Sequence, residues 1–387
     1  MRILMKSSLR LAESFKSVVL MSGMLAVILC MTGTAEAQKY NDIQTPRSPL
    51  VLKAQGSFYV GGESVEQTRD ELGSFGPAGH ITVNQMYVRY MVPQGSDRSV
   101  PVVMIHGMTL TGKSWETTPD GRMGWDEYFV RKGYPVYVPD QVGRGRSGFN
   151  QAVFNDVRVG VTRPNALPPM WRTSDENTWP NFRLGPKPGV PYPGGQFPVE
   201  AVAELSKQAV PDLSMALPNP NPTYKALSDL AVELKRAVLV SHSQSGAFPL
   251  EAALVNPAGI KGVVMVEPGV CPATYSDRQI STLATLPILV IYGDHLGDTP
   301  TGIPGFSWQS AYEGCRAFVT RVNAARGSAR MLHLPDLGIR GNSHMIMQDR
   351  NNLRVADLIL KWIDDSVGTS KARSQGRPGK SIRRQTD

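Results

Sequence analysis

Short, continuous apolar runs recur along the chain at residues 100–105, 134–138, 237–240, 262–266 and 288–292, bounded by Gly, Pro or polar residues. Runs without polar alternation suit strands buried on both faces of a parallel sheet. Residues 125–132, 224–235, 244–255 and 351–363 instead space their apolar side chains at helical intervals. Upstream, residues 50–60 and 80–92 carry alternating or β-branched apolar side chains, which predicts two strands able to pair antiparallel at the start of the sheet. A last strand is expected near 330–334. Strand and helix patterns alternating in this way predict an α/β fold, with a mostly parallel central sheet flanked by helices.

The alternation breaks between residues 149 and 223, which hold thirteen prolines together with Trp171, Trp179, Phe182, Tyr192 and Phe197. Only 199–210 reads as helical there. Irregular stretches of this length are uncommon inside compact domains and often serve as lids or binding loops. We therefore expect a lid or cap insertion at 149–223, dividing one domain into segments 38–148 and 224–368. A rigid elaboration without a substrate role is the alternative.

The first residues carry Arg2, Lys6, Arg10 and Lys16, then an apolar run over 18–30, then Ala35-Glu36-Ala37. This is the layout of a cleavable signal peptide, with cleavage expected after Ala37 and export to the periplasm or beyond. Ser22 and Gly23 interrupt the apolar run, which falls short of the roughly 20 residues that span a bilayer, so no stable membrane insertion is expected after cleavage. Without residues 1–37 two cysteines are left, Cys271 and Cys315, and an oxidising compartment favours pairing them.

Composition changes the picture mainly by exclusion. With 387 residues, 41% hydrophobic and 19% charged, the chain is ordinary globular protein rather than collagen-like, disordered or a disulfide scaffold. The net charge of +8 is carried by the ends: residues 1–37 hold four basic and two acidic side chains, and 369–387 hold six basic and one acidic. The intervening body is close to neutral, so the charge does not point to a nucleic-acid surface. The tail 369–387 has almost no apolar residues and reads as disordered.

The chemistry concentrates around Ser243. In Val240-Ser241-His242-Ser243-Gln244-Ser245-Gly246 an apolar strand runs through small residues straight into a helical pattern. A tight strand-to-helix turn needs small neighbours, because it holds a nucleophile in strained geometry and lifts its hydroxyl clear of the sheet. Ser241 and Ser245 stand where G-x-S-x-G has glycines. Asp140-Gln141-Val142-Gly143-Arg144-Gly145-Arg146-Ser147-Gly148 contains G-x-G-x-x-G, yet it leads into the Gly/Pro-rich insertion rather than opening a helix, which excludes a dinucleotide site.

The order of His106-Gly107 after one buried strand, D-x-x-G-x-G-x-S after the next and the Ser243 turn after a third resembles the α/β-hydrolase superfamily over about residues 100–362. More narrowly, His106-Gly107-Met108-Thr109-Leu110-Thr111-Gly112, Trp115-Glu116, Gly121-Arg122 and Val264-Met265-Val266-Glu267-Pro268-Gly269 resemble secreted bacterial esterases whose triad acid is a glutamate after the sixth strand. The resemblance implies a serine hydrolase with Ser243 as nucleophile, His344 of Gly341-Asn342-Ser343-His344-Met345 as base, and an acyl-enzyme intermediate. It further implies an oxyanion hole from the backbone N–H groups of Met108 and Gln244. Two acids compete for the third place: Glu267, which matches the narrower group, and Asp294, which follows the seventh strand as in the wider superfamily. Met108-Thr109 departs from those esterases, which carry a pair of cysteines there.

His106, Trp171, Trp179 and Phe182 are the expected substrate-binding residues, His106 also ordering the oxyanion loop, while His242 is expected to point away from the cleft. His80, His295 and His333 lack a metal-ligand spacing, and no metal or organic cofactor is implied. The expected partner is a small-molecule or oligomeric ester, with lactones, thioesters and amides open to the same triad; oligomeric state is left open, a dimer included. A dehalogenase or epoxide hydrolase would need an aspartate where Ser243 stands. A catalytically silent binding protein would need a broken triad.

Overall fold

The strands are β1 (Leu52–Gln67), β2 (Gly79–Pro93), β3 (Val102–Ile105), β4 (Val136–Pro139), β5 (Ala237–His242), β6 (Ile260–Val266), β7 (Pro287–Tyr292) and β8 (Ser328–His333). They come from a computed structural model that describes residues 42–95, 100–298 and 300–368; the expected signal segment 1–37 and basic tail 369–387 lie outside the described residues. Every residue of β3 and β5 is buried, as an uninterrupted apolar run requires of a strand covered on both faces. The two pair in parallel inside an eight-stranded sheet ordered β1-β2-β4-β3-β5-β6-β7-β8. From β4 to β8 all neighbours are parallel, whereas β1 and β2 form a long antiparallel ladder that joins β4 antiparallel. Each expected strand is present, and β1 continues past residue 60 to Gln67.

In chain order the described helices are α1 (Trp125–Arg131), α2 (Ala152–Arg158), α3 (Asp175–Asn181), α4 (Val202–Gln208), α5 (Pro222–Glu233), α6 (Phe248–Val255), α7 (Asp277–Leu283), α8 (Trp308–Ala324) and α9 (Asn352–Val367). Three of them fall in the insertion, where the sequence pattern showed only one. All three are seven residues long, and α3 carries Pro180 in its last turn. The pattern also left out α7 and α8. Yet α8 buries Trp308, Ala311, Cys315, Phe318 and Val322, a three–four spacing that places them on one face.

Two hydrophobic cores lie on the two faces of the sheet, and β5 feeds both: Leu239 packs into one, Val238 and Val240 into the other. The insertion is built into the second core through Trp179, Phe182, Leu184, Phe197 and Leu205, all buried. Among the described residues no helix is long and apolar enough to cross a membrane. Cys271 and Cys315 form the expected disulfide, tying the loop after β6 to α8 across 44 positions of sequence. A crosslink closing a loop of that size stabilises a fold by about 2–4 kcal/mol. Replacing both cysteines with alanine is therefore expected to lower the unfolding free energy by about that amount in a urea titration, and an unchanged midpoint and slope would contradict it.

Candidate active site

Ser243 is the first residue of a tight 3-10 turn that leads from β5 into α6, and its φ of 57° lies in the left-handed region that only glycine adopts without strain. The serines that replace the motif's glycines support this turn. Ser245 Oγ donates to the carbonyl of Ile105 or His242, both 3.0 Å away, and accepts from the His242 N–H, stitching β3 to β5 beneath the turn. Ser241 Oγ donates to the Gly246 carbonyl at 3.1 Å. Two glycines are required by close approach: a Cβ on Gly246 would stand 2.4 Å from Pro268 Cβ, and one on Gly107 would stand 2.8 Å from Ser243 Cβ.

Glu267 directly follows β6 with a left-handed φ of 51° and is fully buried. Its Oε2 lies 3.2 Å from His344 Nδ1 and 2.6 Å from Arg183 Nη2, while its Oε1 accepts the Gly293 N–H. Burial pushes the Glu267 carboxyl up, opposed by the Arg183 guanidinium. His344 is held well below the usual imidazole range, first by burial and then by Arg183. Its Nε2 is buried with no hydrogen-bond partner among the described residues. Asp294 makes no hydrogen bond or ion pair with His344; its carboxylate accepts from the His295 and Gly341 N–H groups and so ties two loops.

The imidazole of His344 is enclosed by rings. Trp308 lies 4.0 Å away, His242 4.6 Å and Phe182 5.2 Å between centroids. His242 thus does not turn away from the site as expected: its ring packs against His344 and its Nε2 sits 2.9 Å from the His344 carbonyl. His242 lines the same cavity as Ser243, because the left-handed backbone of the turn at Ser243 breaks the side-to-side alternation of the strand.

The loop that carries the expected oxyanion donor Met108 is strained and braced. Thr109 has a φ of 58°, costly for a β-branched residue. Its N–H donates to Asp212 Oδ2 at 3.1 Å and its carbonyl accepts from the Val210 N–H at 2.7 Å, both partners lying in the insertion. Asp212 pairs at 2.5 Å with Arg144, which also donates to the carbonyls of Gly107 and Leu110. The Gln244 side chain donates to the same Asp212 carboxylate. In the G-x-G-x-x-G segment, Asp140 accepts from Gly112 and Arg146, so that loop is occupied by protein contacts.

Ser243, Met108 and Gln244 open on a cavity of about 450 Å³ whose walls are largely apolar, with Leu110, Trp171, Phe182, Ile303, Phe306 and Trp308. Of the four expected substrate-binding residues, Trp171 and Phe182 line it, and His106 and Trp179 do not. His106 is fully buried, accepting from the Gln141 N–H on Nε2, so the proton sits on Nδ1 facing the Gly107 carbonyl. Burial and then Arg144 hold its pKa down to about 4, keeping it a neutral brace of the loop. Trp179 faces inward from α3 into the core. Sequence reasoning missed Arg183 and Asp212, which lie in the Pro-rich insertion with no motif around them. Among the described residues no cluster of His, Cys, Asp and Glu could hold a metal ion.

A model of the alpha/beta hydrolase family matches residues 102–376. The chain is 48% identical to a solved bacterial esterase, with a TM-score of 0.78, over 84% of this chain and 99% of that one. It is also 27% identical over 364 residues to a probable secreted lipase, phiG, of Fungal sp. (strain ATCC 74256), covering 83% of this chain and 92% of the relative.

The brace yields a stability prediction. Asp212→Leu leaves Arg144 buried without its carboxylate and is expected to cost about 3–5 kcal/mol, whereas Arg144→Met combined with Asp212→Leu costs less than the single change. Urea unfolding of both variants checks this, and a double variant less stable than the single would contradict it.

Proposed function

The chain belongs to the alpha/beta hydrolase family as an esterase/lipase-type hydrolase, and from that premise we propose that it is an exported serine hydrolase that cleaves carboxylic esters through Ser243, His344 and Glu267. The observation that carries this reading is the His344–Glu267 contact at 3.2 Å, with His344 packed on the ring of His242, the residue before the strained Ser243 turn at an apolar cavity. With Nδ1–H directed at Glu267, the neutral imidazole has Nε2 available to take a proton. His344 removes the Ser243 hydroxyl proton as Oγ attacks the acyl carbon, and the carboxylate of Glu267 stabilises the imidazolium that forms. Hydrogen bonds between serine and base commonly tighten only when substrate is seated.

The negative charge on the former carbonyl oxygen falls to the N–H groups of Met108 and Gln244. Gln244 stands in the first turn of a helix, where backbone donors have no intrahelical partner and the dipole favours an anion. The imidazolium then returns its proton to the departing alcohol oxygen, leaving an acyl-enzyme. Water, deprotonated by the same histidine, releases the acid. The insertion acts as the cap of the cleft, with Trp171 and Phe182 on its wall, so the substrate is an ester with a sizeable apolar group, presented as a small molecule or oligomer. The secreted relative and the Cys271–Cys315 bridge support export, with Gln38 as the first residue of the mature chain.

Hydrolysis of p-nitrophenyl esters of graded chain length tests the reading. Ser243→Ala is expected to lower kcat by about 10³-fold or more and Glu267→Gln by at least about 10²-fold, with Asp294→Asn changing it several-fold at most. Greater loss with Asp294→Asn than with Glu267→Gln would overturn the choice of acid. Expression of the whole gene followed by mass measurement of the exported protein should give a chain that starts at Gln38; retention of residues 1–37 would overturn the export proposal.

A further inference from the structure

Arg183 occupies a position that stability alone does not explain. It stands two residues past the end of α3, just after the C-cap Phe182, with a φ of 56°, a left-handed site at which helices favour glycine. Its side chain is 2% exposed and its partner Glu267 0%, and a buried ion pair of this kind does little net for stability because both charges lose water. What the bent backbone achieves is local to the base. The Phe182 carbonyl accepts the His344 N–H at 2.8 Å, and the Arg183 Nε donates to the Asp294 carbonyl at 2.7 Å. The guanidinium lies over Trp308, 5.2 Å from its centroid, on the ring that also stacks against His344.

We propose that Arg183 is a positioning residue for hydrolysis: it holds Glu267 as a carboxylate aimed at His344, and so keeps the enzyme active into the acidic range. This rests on the triad reading above. The carboxylate has no solvent to stabilise its charge, so its partners must do so, and Arg183, ion-paired with it, is the permanent cation among them. The other titratable groups around the pair have partners of their own or carry no charge. His242 is held well below the usual imidazole range by burial and then by His344. Asp349 is pushed up to about 7 by burial and is engaged by Ser343 and Asn342. Tyr292 donates its hydroxyl to the Pro268 carbonyl, and the Asp294 carboxylate is held by two backbone N–H groups.

With the cation removed, the Glu267–His344 pair takes up a proton at higher pH. If the proton rests on His344 the base is lost, and if it rests on Glu267 the imidazolium loses its counter-charge. Either way the acid limb of kcat/KM moves up. A cation at this distance shifts such a group by one unit or more, so Arg183→Met is expected to raise the limb by about one pH unit or more, with Arg183→Lys close to wild type. The wild-type limb itself is expected below 6.5, the ordinary imidazole value.

The experiment is a titrimetric kcat/KM profile from pH 4 to 9 for wild type, Arg183→Met and Arg183→Lys. A limb raised in Arg183→Met and restored in Arg183→Lys supports the proposal. A uniform loss of rate with an unmoved limb, as expected if the side chain only fills space, overturns it, as does a wild-type limb at or above 6.5. Imidazole NMR titration of wild type, Arg183→Lys and Arg183→Gln, with His344 assigned by its loss in His344→Asn, reads the same shift without turnover or a folded Arg183→Met. Protonation of His344 at higher pH in Arg183→Gln than in wild type and Arg183→Lys supports the proposal, and the same protonation pH in all three overturns it. Absence of turnover on every ester would by contrast count against the hydrolase reading alone.

Discussion

A carboxylate with no exposure to water, at the end of β6, is the constraint around which this structure is arranged. Moving such a charge out of water costs several kcal/mol even after relaxation, and the cost is offset only by well-placed donors. Glu267 finds three partners, each from a different part of the chain: an ion pair with Arg183 from the insertion, the N–H of Gly293 just after β7 and the ring of His344 after β8. The parallel order β5-β6-β7-β8 is what allows this, because it lays the C-terminal ends of those strands side by side. A carboxylate supported in this way can favour the charged imidazole over the neutral one at the moment of proton transfer.

The loop around Met108 and Thr109 follows the same logic. The strained Thr109 backbone is held by Asp212, itself paired with the buried Arg144. In both ion pairs one partner belongs to the insertion and the other to the sheet-bearing body, Arg183 to Glu267 and Asp212 to Arg144. The insertion therefore contributes structure to the candidate site as well as a wall to the cavity. The Cys271–Cys315 bridge adds a third connection, joining the loop that follows Glu267 to the helix whose first residue, Trp308, stacks on His344.

Much of this could be read from the sequence where the controlling physics is local. Continuous apolar runs marked the parallel strands because a strand covered on both faces has no polar side, and the small residues around Ser243 marked the turn because nothing larger fits. The helix Trp308–Ala324 was equally legible in its three–four spacing and went unread, its polar and small residues masking a weakly apolar face. His106 and Trp179 were expected beside the substrate because residue type and motif position do not reveal which way a side chain points. Arg183 was illegible for a different reason: its meaning comes from a carboxylate 84 positions later, a relation that only the folded chain creates.

Labelling with a fluorophosphonate, followed by peptide mass spectrometry, tests the central claim that Ser243 is activated through His344 and Glu267. The account predicts a single adduct on Ser243, formed rapidly in the wild type and in Asp294→Asn and greatly slowed in Glu267→Gln. An adduct on another serine, or slowing by Asp294→Asn with Glu267→Gln unaffected, would contradict it.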